Sequence, residues 1–180
     1  ASIYMGKRDN QSAEQILGNC FVLQIAVSFI LTAVLLIWSE DILLAFGASE
    51  NTISYAVDYM HIYAIGTLFV QLTLGMNAFI TAQGFTTTSM VSVLIGAICN
   101  ITLDPIFIFG FHMGVKGAAL ATVLSQAVST IWVIFFLCGK KTQLHLRKKY
   151  MHLKSKVIIP CVTLGLAAFI MQASESVVTV

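Results

Sequence analysis

Asp104 stands inside Met90–Gly110, a run that otherwise has the composition of a membrane-spanning helix; Asn100 lies one helical turn before it and Pro105 follows directly. A charged group at the bilayer centre costs about 2.5–3.5 kcal/mol on insertion scales, and such residues face a bundle interior or a wet cavity, where they mark ion or substrate paths. Asn100 and Asp104, at i and i+4, project from one helical face. Pro105 has no N–H for the carbonyl of Ile101, which leaves a backbone oxygen free beside the carboxylate. Carboxylate, carboxamide and carbonyl oxygens together suit a hard cation, and the same neighbours shift the proton affinity of Asp104. The chemistry available is therefore reversible capture of a proton or a metal cation within a membrane. The competing reading is a structural polar group that bonds across helices and locks their packing.

The elements that position this carboxylate are legible from hydropathy. The chain is 58% hydrophobic and 10% charged, with a mean hydropathy of +0.89. Soluble domains carry about 25% charged residues, so this is an integral membrane protein of the all-α, polytopic helix-bundle class. Five segments reach the ~20 residues a hydrocarbon core requires: Leu17–Ser39, Met60–Ala82, Thr88–Gly110, Gly117–Gly139 and Val157–Val180. Three hold no Asp, Glu, Lys or Arg; the third holds Asp104 and the fifth holds Glu175. None has the form of a signal peptide.

Charge asymmetry sets the orientation. Lys7, Arg8, Lys140, Lys141, Arg147, Lys148, Lys149, Lys154 and Lys156 fall on one side, together with the Gln83–Thr88 turn. The other side has Lys116 as its one basic residue, against Glu40, Asp41, Glu50 and Asp58. The positive-inside rule places the basic loops in the cytoplasm, and the expected location is a plasma (inner) membrane. The 140–156 segment reads as a basic cytoplasmic linker on anionic headgroups, dividing 1–139 from 157–180. Nothing aromatic or Gly-rich in it suggests nucleic acid, and a net charge of +2 is too small to do so. His145 and His152 in the linker read as solvated. Cys20, Cys99, Cys138 and Cys161 lack C-x-x-C spacing and read as free thiols. No His/Glu metal motif, Ser–Lys pair or Gly-rich phosphate loop appears, so the chain reads as a non-enzyme with no cofactor. It opens on Ala1 and closes within a span, and is expected to be an internal piece of a longer protein.

One string is more specific than composition: Asn100-Ile-Thr-Leu-Asp104-Pro105-Ile-Phe-Ile-Phe-Gly110, followed by Gly114-Val-Lys-Gly117-Ala-Ala-Leu-Ala-Thr122-Val-Leu-Ser-Gln126. It resembles the multidrug and toxic compound extrusion (MATE) family, transporters of twelve spans in two six-helix lobes. Asn77–Gly84 resembles the end of that family's fourth span, and Gly6–Asp9 its loop between spans two and three. Leu164–Glu175 resembles its seventh span, although Ala167 stands where many members have proline. On this likeness residues 1–139 are a partial N-terminal lobe, from the end of span two through span six. Residues 157–180 are then the first helix of the C-terminal lobe.

The resemblance implies a site and a function. Asn100, Asp104 and Thr122 match a first-lobe cluster that binds a proton or sodium together with an acid on span one. Glu175 matches an acidic position of the seventh span implicated in cation coupling, and its alternative is a carboxylate reaching interfacial water. Pro105 is the expected kink. The function implied is secondary-active efflux, exchanging H⁺ or Na⁺ for amphipathic, often cationic compounds. The partners implied are small-molecule drugs or organic cations, the lipid bilayer and the rest of the same transporter. A lipid-linked oligosaccharide flippase of the same superfamily is a rival, but it calls for basic residues within the spans, and none is present. A truncated, non-transporting partner protein is the rival of another class. Gly96, Gly110, Gly114, Gly117, Ala118, Ala119 and Ala121 read as close helix packing rather than as a site.

Overall fold

The computed structural model describes residues 1–49, 51–139, 141–152 and 155–179, with only the backbone path described at 148, 155, 156, 164, 167, 168 and 175–179. Its order is α1 (Ser2–Gly6), α2 (Asn10–Ile37), α3 (Ser39–Ala45), α4 (Ile53–Ala82), α5 (Thr86–Pro105), a π-helical turn (Ile106–Gly110), α6 (Val115–Cys138), a 3₁₀ turn (Lys148–Tyr150) and α7 (Ser155–Thr179). No strand occurs among the described residues. α2, α4, α5 with its π turn, and α6 are each long and apolar enough to cross a membrane, and α7 runs through the described part of the fifth expected span. The protein is a multi-pass helical bundle.

Two spans outrun the apolar runs that announce them. α2 begins at Asn10 rather than Leu17, and α4 at Ile53 rather than Met60. The start of α2 is fixed by Asp9, whose side chain accepts a hydrogen bond from the Ser12 N–H at 3.1 Å. Bonding from the Ser12 side chain, then from its backbone, holds the Asp9 carboxyl below the usual carboxylate range. α4 stops at Gly84, where a φ of +87° lets the Gly84 N–H reach the Thr81 carbonyl and the Phe85 N–H reach Ile80. That is a Schellman end, and glycine is the residue that enters the left-handed region without strain.

α4 lies at the centre, packed on α2, α6 and, less extensively, α5; α5 packs along α6, and α7 leans on α2. At the basic end Ala13, Leu17, Met76, Ile80, Val133, Leu137 and Leu144 form a fully buried core. Large apolar side chains such as Phe29, Ile30, Ile98 and Phe135 instead point outward, as lipid-facing residues do. Because lipid offers helices no hydrophobic drive to associate, polar bonds and small residues hold the bundle. Thr73 and Thr130 meet at 2.7 Å, Thr130 Oγ1 donates to the Phe69 carbonyl at 2.9 Å, and Asn77 Nδ2 donates to Ser92 Oγ at 2.8 Å. At the opposite end the exposed Lys116–Asp58 pair, 3.1 Å apart, ties α6 to α4.

The linker departs from its sequence reading. Much of it is folded onto the bundle as a strap rather than left on the lipid surface. The carboxamide oxygen of Gln83, at the end of α4, accepts from Thr142 Oγ1 at 2.7 Å and from the Gln143 and Leu144 N–H groups at 2.9 Å each. Leu144 then enters the core. Glu14 of α2 accepts from the His145 N–H at 3.1 Å and faces Arg147 Nε at 3.3 Å and His145 Nδ1 at 3.5 Å. His145 is therefore partnered, contrary to the solvated reading. Asn19 Nδ2 closes the strap on the Tyr150 carbonyl at 3.3 Å.

Candidate functional site

α5 carries a polar file at four-residue spacing: Thr88, Ser92, Gly96, Asn100 and Asp104. Four-residue spacing keeps the file on one face, drifting slowly around the helix, and this face meets α6. Below the site Ser129 Oγ of α6 donates to the Ser92 carbonyl at 2.9 Å. At Gly96 the two helices approach so closely that a Cβ would lie 2.5 Å from Ser129 Oγ. Above it Gly117 packs on the Phe107 peptide, where a Cβ would meet the carbonyl carbon at 2.8 Å. These two contacts fix the spacing and height of α6 against α5.

Between them Asn100 stands in the middle of three side chains. Its Nδ2 lies 3.4 Å from Asp104 Oδ1 on its own helix and 3.4 Å from Thr122 Oγ1 on α6. Thr122 Oγ1 donates to the Ala118 carbonyl at 2.9 Å, and so presents its lone pairs to Asn100. Both Asn100 contacts are longer than the 2.7–3.2 Å of a well-formed N–H···O bond. The group is thus gathered but loosely bonded, with oxygen atoms on two helices. All three residues are half-buried, so the carboxylate is neither sealed in the core nor bathed in solvent. An oxygen-rich, half-enclosed group of this kind can take up a proton at Asp104 or share a hard cation among its oxygens.

Pro105 ends α5, and the helix widens after it: the Phe111 N–H bonds the Ile106 carbonyl five residues back at 3.0 Å. A proline removes one ladder bond and a π turn absorbs the resulting misfit, an arrangement frequent at functional sites. A π turn, Ile106–Gly110, thus follows Pro105 at the place where a kink was expected. Glu175 lies on α7, and its side chain is outside the described residues. Groups of three or more His, Cys, Asp or Glu able to hold a metal are absent among the described residues; the Asn100–Asp104–Thr122 group has a single acid and is of another kind.

Sequence reasoning overlooked Glu14 and Gln83. Each is buried and each fastens the linker. A signal existed for one of them: Glu14 is an acid on the side of the membrane that carries nine basic residues. Gln83 offered none, because its partners are turn N–H groups far along the chain.

Comparison with known proteins agrees with this architecture. The multidrug export protein MepA of Staphylococcus haemolyticus is 29% identical over 167 residues, 93% of this chain and 37% of that protein. MepA of Staphylococcus aureus is 29% identical over 148 residues, covering 82% and 33%. The chain thus spans little more than a third of the length of these relatives. Among solved structures, a MATE transporter in the bent conformation superposes with a TM-score of 0.91 at 24% identity, over 98% of this chain and 40% of that one. An inward-facing multidrug resistance MATE family transporter of the MOP superfamily gives 0.84 at 23% identity, over 92% and 38%. At these identities the superpositions establish the fold. With the MatE sequence model matching residues 1–106, the chain belongs to the MatE family.

Proposed function

We propose that the protein to which this chain belongs is a secondary-active multidrug exporter, and that Asn100, Asp104 and Thr122 hold its coupling cation, H⁺ or Na⁺. The observation that carries the reading is the meeting of these three residues between α5 and α6 of a MatE member. The substrates are amphipathic, often cationic compounds, as the multidrug export names of the relatives suggest. Residues 1–139 belong to one lobe, 140–156 link the lobes and 157–180 open the second. The protein sits in the plasma membrane with its basic loops in the cytoplasm.

In this reading an inward-moving cation neutralises Asp104 and redraws its contacts with Asn100 and Thr122. A cation shifts a conformational balance only through different affinity for the two states. The loose 3.4 Å contacts favour that role, because they can tighten or open at little cost as the charge on Asp104 changes. The π turn after Pro105 is the natural place for α5 to bend. Glu175 contributes to coupling from the second lobe.

The test is efflux of a fluorescent cationic dye from vesicles holding the full-length protein, driven by an imposed proton or sodium gradient. Gradient-driven efflux in the wild type, abolished in Asp104→Asn at equal membrane levels, is the expected result. Gradient-driven efflux that persists in Asp104→Asn removes Asp104 from coupling.

A further inference from the structure

Where α5 begins and α6 ends, the outer face of the helix pair carries a groove of about 480 Å³ lined by Thr88, Trp132, Phe135, Phe136, Gly139 and Lys141. Trp132, Phe135 and Phe136 stand at i, i+3 and i+4 of α6 and form one continuous aromatic wall. Phe136 is held edge-on against Phe85, with ring centroids 5.4 Å apart. Trp132 and Phe135 are 38% and 76% exposed, turned away from the bundle. In a chain whose helices are apolar enough to cross a bilayer, such a wall is chemically suited to acyl chains. The rim is different in kind. Lys141 lies just past the end of α6, and Thr88 lies in the first turn of α5, where backbone N–H groups lack helical partners and favour an anion.

We propose that this groove binds one anionic phospholipid. Its acyl chain lies along Trp132, Phe135 and Phe136, and its phosphate meets the Lys141 ammonium, the Thr88 hydroxyl and the start of α5. The occupant follows from charge: the groove is lined by one cation and no carboxylate. An anionic headgroup is complementary to that rim, whereas the ammonium of a zwitterionic headgroup would be brought against Lys141. Tryptophan supports the depth, since its ring settles where hydrocarbon gives way to headgroups. The site is separate from the Asn100–Asp104–Thr122 group and does not rest on the transport reading.

Native mass spectrometry of the full-length protein, in micelles with equal amounts of dioleoyl phosphatidylglycerol and dioleoyl phosphatidylcholine, tests this. One phosphatidylglycerol is expected to be retained about fivefold over phosphatidylcholine, the preference typical of one lysine at an anionic surface. Lys141→Gln should erase the preference, while Lys149→Gln, a change in a basic residue outside the groove, should preserve it. No preference in the wild type, or an undiminished one in Lys141→Gln, overturns the proposal. Equal loss in Lys149→Gln also overturns it, by showing a diffuse surface attraction. A phosphatidylglycerol with a photoreactive acyl chain gives a second reading that needs no variant. Adducts should fall on the α6 segment from Trp132 to Phe136, and adducts confined to other segments contradict the site.

Discussion

Asp104, Asn100 and Thr122 make different contributions, and substitutions should separate them. Asp104 supplies the charge, so Asp104→Asn should remove coupling altogether. Asn100 bridges the other two at 3.4 Å on each side. Asn100→Ala should therefore keep a titratable acid but misplace it, lowering gradient-driven efflux and shifting its pH profile. Efflux with an unchanged pH profile would leave Asn100 a packing residue. Glu175→Gln should weaken coupling or cationic-drug transport, and wild-type efflux across several drugs and pH values would assign Glu175 to interfacial solvation instead. The pairing of Asn100 with Asp104 was legible because i and i+4 share a face on any helix. Thr122 was reached through family likeness, since nothing local to α6 says which face meets α5. Glu14 went unread because its partners lie 131 and more residues away.

At the scale of elements, small residues set how near α5 and α6 can come. Gly117→Ala adds a methyl against the Phe107 peptide, 2.8 Å from its carbonyl carbon. Backbone gives way less readily than a flexible side chain, and overpacking of this kind costs about 1–3 kcal/mol. A thermal melt of the full-length protein should show the loss, accompanied by weaker coupling as Thr122 moves from Asn100; an unchanged melting temperature would contradict the close contact. The Asp9 cap of α2 adds a pH dependence of known sign. Its carboxyl is held low, so its contribution is present above the usual carboxylate range and disappears as pH falls through the lowered value. Four of the five expected spans, those of α2, α4, α5 and α6, could be read from hydropathy because lipid-facing surfaces must be apolar. The early starts of α2 and α4 were hidden because those turns are mixed in polarity, and α3 because seven residues carry too little pattern.

Across the whole molecule, the strap joins the first four spans to α7. Gln83 and Glu14 fasten residues 142–147 to the ends of α4 and α2. Residues 142–147 are therefore held on the first bundle rather than left as a free tether. Glu14→Gln removes the charge facing Arg147. Limited trypsin digestion of the full-length protein should then cleave at Arg147 about threefold faster, as expected when an ion pair of about 0.6 kcal/mol is lost. A solvent-screened value applies because the Arg147 side chain is 60% exposed. Equal cleavage in the two proteins would make the strap a resting contact without hold. Sequence reading took this segment for a basic linker between lobes, but charge counts assign a loop to a side of the membrane and say nothing of what it folds against.

Counting the cation displaced when drug binds tests the central claim most directly. The purified full-length protein, in weakly buffered solution, is mixed with a cationic drug while released H⁺ or Na⁺ is recorded. If Asn100, Asp104 and Thr122 hold the coupling cation, the wild type releases it on drug binding, and Asp104→Asn binds drug while releasing about one cation fewer. Release equal to wild type from Asp104→Asn would place the coupling cation elsewhere and contradict the account.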